Sequence, residues 1–434
     1  MFNTKYTHDE IHGNDRKIVV GLDIGTSKIC ALVATPGDNP DELNILGLGI
    51  VESKGVARGF INNLEQTVRS IKEAVRQAEQ QSGIQINEVI VGIAGDHVES
   101  ETTRGIIGNL NEIEEDDVFR VIKEARSIAL PPDRRILHVI PQEFIVDGQD
   151  QIIDPVGFRG HRMEVLTHVV TCKTSFLDTI YICVERAGLK VKEVVLEPIA
   201  SSIAVLDEDE KEVGVALIDI GGGTTDIAIF EKGILRFTSI IAIAGKKVTD
   251  DIQNGLGILA RDAEKIKKEY GCAYLPGINR DEDFMTPGIA GRAPREITKT
   301  VLCKVIQPRM EEIFELASAE IERSGLKASL GAGIVITGGS SLLHGTEDLA
   351  SEIFGTQIKI GVPSRLTYGL APEVENPIYS TAVGLVRYGL ENQDENYNEH
   401  LKKVEKSNGT GRKKSLKDLF NIVQKGIDNL LLIK

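Results

Sequence analysis

The sequence predicts an α/β protein of two similar halves that face each other across a cleft. Two observations predict it. Leu22-Asp23-Ile24-Gly25 returns as Ile218-Asp219-Ile220-Gly221, each time at the end of an apolar, β-branched run that resumes after a turn. And 434 residues are too many for one ordinary core, so the chain divides into two or more domains.

The elements follow in order. Lys17–Ile24 and Ile29–Ala34 read as strands flanking Gly25-Thr26-Ser27-Lys28, a small-residue turn. Leu64–Ala78 has helical spacing, with Leu64, Val68, Ile71 and Val75 on one face. Asn87–Ala94 reads as a buried strand. From Gly95 to Leu166 the texture changes, with an acidic helix start at Glu112–Asp117 and a break at Pro131-Pro132, as in a separate lobe. Glu164–Thr171 returns to a strand pattern, followed by a helix at Phe176–Ala187 and a strand at Val191–Leu196. After an acidic loop, Asp207–Glu212, the opening pattern recurs. Gly214–Ile220 and Asp226–Phe230 are its strands and Gly221–Thr225 its turn. Residues 391–411 are polar and read as a linker.

Charge and composition exclude several classes. A net charge of −15 argues against general nucleic-acid binding, which needs a basic face. The five cysteines are odd in number and form no CxxC pair, which favours free thiols in a reducing compartment. The first residues lack an apolar signal core, and no apolar run approaches the roughly 20 residues of a membrane span. A cytosolic protein that meets membranes only from their surface is expected.

The two turns carry the chemistry. Glycine lets backbone approach a phosphate closely, and successive N–H groups form an anion-binding concavity. Gly25, Thr26 and Ser27 supply one such turn, and Gly221, Gly222, Gly223, Thr224 and Thr225 the other. Lys28 adds a positive charge. Asp23 and Asp219 would repel phosphate, so their natural role runs through Mg²⁺ and its water. One turn alone reads equally as a plain hairpin, but three consecutive glycines suit no ordinary strand pair. Neither turn has the GxxxxGK[ST] spacing. A third segment, Thr337-Gly338-Gly339-Ser340, follows a buried strand and suits a base or sugar.

Asp23-Ile-Gly-Thr, Asp219-Ile-Gly-Gly-Gly-Thr-Thr-Asp and Thr337-Gly-Gly-Ser, in that order, resemble the phosphate-one, phosphate-two and adenosine motifs of the actin, sugar-kinase and heat-shock chaperone superfamily. Leu196-Glu197-Pro198-Ile199-Ala200 resembles the chaperones' EPxA segment, which implies that Glu197 helps position attacking water. Ala263-Glu264-Lys265-Ile266-Lys267 resembles the helix whose Glu and Lys, here Glu264 and Lys267, contact ribose and adenine. By themselves, Glu197 reads as a helix start and Glu264/Lys267 as an exposed ion pair.

The likeness narrows further. Arg135-Ile-Leu-His-Val-Ile-Pro-Gln-Glu-Phe, Val146-Asp-Gly-Gln and Gly160-His-Arg-Met-Glu resemble the FtsA family of bacterial actin homologues. So do Gly245–Asp251, with Lys246 a further nucleotide contact, Gln307-Pro-Arg-Met and Gly338–Gly345. The resemblance covers residues 17–390. Departures at Ala94, Phe158 and Met163, and a tail at 1–16, leave the nucleotide motifs untouched.

The resemblance implies the actin-like ATPase fold with ATP and Mg²⁺ in the cleft. It implies subdomain 1A at 17–94 and 167–207, with a return at 383–390, and an inserted subdomain 1C at 95–166. Subdomain 2A falls at 208–240 and 317–382, and 2B at 241–316. It also implies self-assembly into filaments and contacts with other division proteins. Arg309 and Glu312 would meet the C-terminal tail of FtsZ, and the chain would tether the FtsZ ring to the cytoplasmic face of the membrane at the division site. Hydrolysis need not be fast for tethering. A pilus- or shape-system adaptor and a sugar-kinase-like phosphotransferase stay as alternatives.

Residues 412–434 change character again. Leu416, Leu419, Phe420, Val423, Ile427, Leu430 and Leu431 fall on one helical face. Arg412, Lys413, Lys414, Lys417, Lys425 and Lys434 outnumber Asp418 and Asp428, six basic residues to two acidic, a net +4. A cationic amphipathic helix after a linker is the pattern of an anchor on anionic lipid.

Overall fold

The computed structural model describes residues 17–39, 41–288 and 290–391. The expected N-terminal tail, and the linker and amphipathic segment from 392 onward, lie outside the described residues.

Each half is built on one sheet. The first runs in the order Lys190–Leu196, Glu88–Ile93, Val19–Ile24, Lys28–Pro36, Leu43–Glu52, Leu366–Gly369. The second runs Ile358–Ile360, Ile334–Thr337, Val215–Ile220, Thr225–Glu231, Ile234–Ile241. Both place three successive strands antiparallel, then add two parallel strands on the far side of the first. Even the register repeats. Ile24 pairs with Ile29 and Ile220 with Thr225, so each hairpin turns through four residues. Asp23 faces Cys30, and Asp219 faces Asp226. The first strand of each half is buried along its whole length, as continuous apolar runs in a covered sheet require.

The helix Leu64–Ser82 starts at Asn63, whose side chain accepts from the Gln66 N–H at 3.1 Å, and ends at left-handed Gly83. It buries Val68, Ile71 and Val75, the face its spacing predicts. The acidic stretch read as a loop is instead the short helix Glu208–Val213. Asp207 and Glu210 form a reciprocal capping box there, and negative charge suits a helix N-terminus.

The separate lobe is a four-stranded antiparallel sheet in the order Val98–Gly108, Arg162–Lys173, Arg134–Val146, Gln149–Ile152. Helix Glu115–Arg126 covers one face around a core that includes Val121, Phe144 and Met163. The lobe does not close at 166. Arg162–Lys173 pairs with lobe strands on both sides along its length, so the sheet continues to Lys173. Alternation marks a strand but not the sheet it joins. The boundary drawn at 316 likewise falls inside one helix, Lys299–Arg323. The lobe also reaches the second half. The Gln142 amide donates to the carbonyls of Leu235 and Arg236, at 2.9 Å each. All five cysteines are buried and free.

Helices Glu197–Val205 and Ser380–Glu391 cross between the halves. Their closest approach needs a glycine, because a Cβ on Gly384 would overlap the Ala200 carbonyl. Gly384→Val is therefore expected to cost about 3 kcal/mol of stability, read as a lowered Tm.

Candidate functional site

A cavity of about 520 Å³ opens between the halves. Pockets for small ligands span about 300–1,000 Å³. Its walls gather Asp23, Gly25, Thr26, Ser27 and Lys28 from the first half, and Asp219, Gly221, Gly222, Gly223 and Thr224 from the second. Glu197, Glu264, Lys267, Gly338, Gly339 and Ser340 line it as well.

Two predicted residues, Thr225 and Lys246, do not line the cavity. The Thr225 hydroxyl donates to the Ile243 carbonyl at 2.8 Å. The Lys246 N–H donates to the Gly222 carbonyl at 2.8 Å, and its ammonium lies 3.6 Å from Asp250. Both brace the glycine turn. Arg309 and Glu312 lie away from the cavity, on the helix Lys299–Arg323. There Arg309 grips Asp251 through two bonds, at 2.6 and 3.1 Å, and pairs with Glu312. The predicted membrane residues, from Lys413 to Leu431, lie outside the described residues.

Three of the glycines, Gly222, Gly223 and Gly338, are sterically required. A Cβ on Gly222 would run into the Ser27 hydroxyl, and one on Gly223 into that of Thr26. The two turns thus meet directly across the cleft. Gly338 has φ +85°, and its Cβ would strike the Asp219 carboxylate.

Four buried or half-buried carboxylates, those of Asp23, Glu197, Asp219 and Asp226, line this cavity beside the Lys28 ammonium. Lys28 is ion-paired with Asp23. Burial works against the Lys28 charge, but Asp23 and the other acids outweigh it and hold its pKa above the lysine range. Burial, then Asp23, Asp226 and Asp219, push Glu197 well up. Burial also raises Asp219, although Ser201 donates to it at 2.6 Å and Thr381 at 3.4 Å. Asp226 is raised by burial and then by Asp219. One of its oxygens accepts from Thr224 at 3.3 Å, and the other has no hydrogen-bond partner.

Lys267 and Glu264 are more than a surface pair. Lys267 is buried, and its ammonium donates to the Gly245 carbonyl at 3.0 Å and the Thr249 hydroxyl at 2.9 Å while meeting Glu264 at 2.7 Å. Burial lowers its pKa, and Glu264 opposes that shift. The cavity also takes in Lys268, Leu342, Leu343, Ile378 and Thr381, none predicted as site residues, and Asp226, which ends the phosphate-two motif but was given no role of its own. Hairpin register was the available signal for Asp226, since it lies directly across from Asp219.

The Cell division protein FtsA family model matches residues 216–384, and an SHS2 domain inserted in FTSA matches 95–171. An Hsp70 protein model matches 179–240. The Cell division protein FtsA of Pseudomonas aeruginosa is 44% identical over 380 residues, 87% of this chain and 91% of that relative. The chain belongs to the FtsA family of cell division proteins.

Other FtsA proteins agree. That of Escherichia coli K12 is 40% identical over 92% of this chain and 97% of its own length, and that of Bacillus subtilis 37% over 87% and 85%. The inserted FtsA domain coincides with the four-stranded lobe. Solved structures show the actin-like ATPase fold. A PilM-PilN type IV pilus biogenesis complex aligns with TM-score 0.63 at 16% identity, over 86% of this chain and 99% of that one. MreB5 of Spiroplasma citri bound to ADP aligns with TM-score 0.51 at 15% identity, over 90% and 99%.

Proposed function

We propose that this FtsA-family chain binds ATP with magnesium in the cleft and, in that state, assembles on the membrane and tethers the FtsZ ring. One observation carries the reading. Two turns of equal length and register, one from each half, converge on a cluster of buried carboxylates.

Residue roles follow from that arrangement. Gly25, Thr26, Ser27 and Gly221–Thr224 offer backbone and hydroxyl donors to phosphate, and Lys28 adds charge. The cluster has more acids than bases and leaves one Asp226 oxygen without a hydrogen-bond partner, so a cation suits it. Among the described residues no group of three His, Cys, Asp or Glu side chains is placed to hold a metal directly. Asp23 and Asp219 would therefore hold magnesium through water, and the ion would neutralise phosphate charge there. Glu197 would orient water, Glu264 and Lys267 would meet ribose and adenine, and Gly338, Gly339 and Ser340 would lie along the base or sugar.

A head-to-tail contact between copies is heterologous and propagates as a filament. The lobe 95–173 would serve filament contacts and other division proteins. Arg309 and Glu312, fixed by Asp251, would meet the FtsZ C-terminal tail. Among the described residues no helix is long and apolar enough to cross a membrane. The basic, amphipathic sequence 412–434 would place the chain on the cytoplasmic face by binding anionic lipid.

Pelleting with anionic liposomes tests this. The full chain is expected to pellet, more with ATP and Mg²⁺ than with ADP, and a chain ending at Gly411 is expected to stay in solution. Equal pelleting of the two would remove the anchor from the account.

A further inference from the structure

Strand Lys190–Leu196 is an edge of the first sheet, so its outer N–H groups need partners from another element. At Leu196 that partner is His138 of the inserted lobe. The Leu196 N–H donates to the His138 Nε2 at 3.0 Å. An accepting Nε2 requires a neutral ring with its proton on Nδ1. Burial keeps the ring in that form at neutral pH by holding its pKa near 4.

Leu196 is the residue before Glu197. It is the N-cap of helix Glu197–Val205, and its own side chain makes no capping bond. The Glu197 side chain has little room beside the sheet. A Cβ on Gly92 would lie 3.0 Å from its Cγ and 3.2 Å from a carboxylate oxygen. That carboxylate lines the nucleotide cavity. The His138 bond thus fixes the backbone from which Glu197 enters the cleft.

The same lobe holds the second half. His138 pairs with Val170 and Ile140 with His168, so the two histidines share one face of the lobe's sheet. The His168 Nε2 meets the Thr238 hydroxyl at 2.8 Å, and the Ser100 hydroxyl donates to the Thr238 carbonyl at 3.0 Å. Thr238 lies on strand Ile234–Ile241, which pairs with Thr225–Glu231, the strand that leaves the second phosphate turn. One lobe therefore grips the start of the Glu197 helix on one side of the cleft and a strand behind the glycine turn on the other.

We propose that His138 is a positioning residue for Glu197, and that the inserted lobe regulates ATP turnover by carrying its seating on the second half through His138 to that carboxylate. The proposal rests on the reading of the cleft as an ATP site in which Glu197 orients water. A misplacement of about 1 Å can cost about 100-fold in rate. ATP affinity depends on the two turns instead, so the bond acts on turnover and spares binding.

Steady-state hydrolysis and equilibrium binding of ATP by the full chain, with Mg²⁺, test it. His138→Leu removes the acceptor and is expected to lower kcat at least about tenfold while ATP affinity stays within about twofold. His138→Gln returns an amide oxygen near the Nε2 position and is expected to recover most of the rate. His138→Asn is too short to reach Leu196 and stands in for His138→Leu if that chain does not fold. A lowered Tm with unchanged kcat, or no recovery in His138→Gln, overturns the positioning role. Gln142→Ala combined with Thr238→Val loosens the lobe on the second half, outside the cavity. It is expected to lower kcat at least about threefold at unchanged affinity. Wild-type kcat in that folded double variant overturns the regulation by the lobe and leaves the role of His138. Glu197→Gln is expected to stop turnover and keep ATP bound. Undiminished turnover there overturns the role of Glu197 and the proposal with it, but not the ATP site. A wild-type chain that binds ATP without turning it over overturns the proposal alone. A chain that binds no ATP overturns it together with the reading of the cleft.

Discussion

Gly222→Val is expected to lower ATP affinity at least about 100-fold while leaving the chain folded. The expectation rests on what a side chain would meet. Gly222 faces the Ser27 hydroxyl across the cleft, and even a Cβ would collide with it. Valine forces the two turns apart and fills space a phosphate would occupy. The fold is spared because Gly222 is not among the positive-φ glycines and lies at the cleft mouth, outside the hydrophobic core. Equilibrium binding of ATP, with circular dichroism and Tm as controls, measures both halves of the expectation. The end of the same turn gives a contrast. Thr225→Val removes the bond to Ile243 without adding bulk to the cleft, so its effect should be much smaller.

Asp226→Asn is expected to stabilise the ligand-free protein at neutral pH and to weaken Mg–ATP binding. The sign follows from proton binding. Burial and the Asp219 charge raise the Asp226 pKa, so the folded chain holds this proton more tightly than the unfolded chain does. The cost of the ionised group is absent below the unfolded value, near pH 4. It grows as pH rises and is complete above the raised folded value. Asparagine removes that cost, so the gain should be larger at neutral pH than at lower pH and should vanish toward about pH 4. The wild-type stability profile alone cannot show this. Burial holds His97, His138 and His168 near pKa 4, and their neutral forms make the fold lose stability as pH falls below about 6.5. The difference between variant and wild type, by denaturant unfolding across pH, isolates Asp226. A variant no more stable than wild type at neutral pH would show that its charge is already compensated.

The cleft was legible in the sequence to the extent that its chemistry is local. A strand ending in Asp, then Gly and hydroxyl residues, carries its meaning within eight residues, and the repeat at Asp219 revealed the second half. Lys267 was harder. In sequence it looks like half of a surface ion pair, and only the fold buries it against Gly245 and Thr249. Thr381 was missed because its link to Asp219 joins residues 162 apart in the chain. Lys246 was placed in the site by motif, but its ammonium turns to Asp250 while its backbone ties down Gly222. The lobe boundary slipped for a related reason. A strand pattern does not reveal its partners, and Arg162–Lys173 finds both of its partners inside the lobe.

Calorimetric titration of ATP into the full chain, with and without Mg²⁺, tests the central claim most directly. The account predicts one site per chain, with affinity raised by the ion because the carboxylates around Asp23 and Asp219 need a cation between them and phosphate. Absence of saturable binding, or an affinity that Mg²⁺ leaves unchanged, would contradict it.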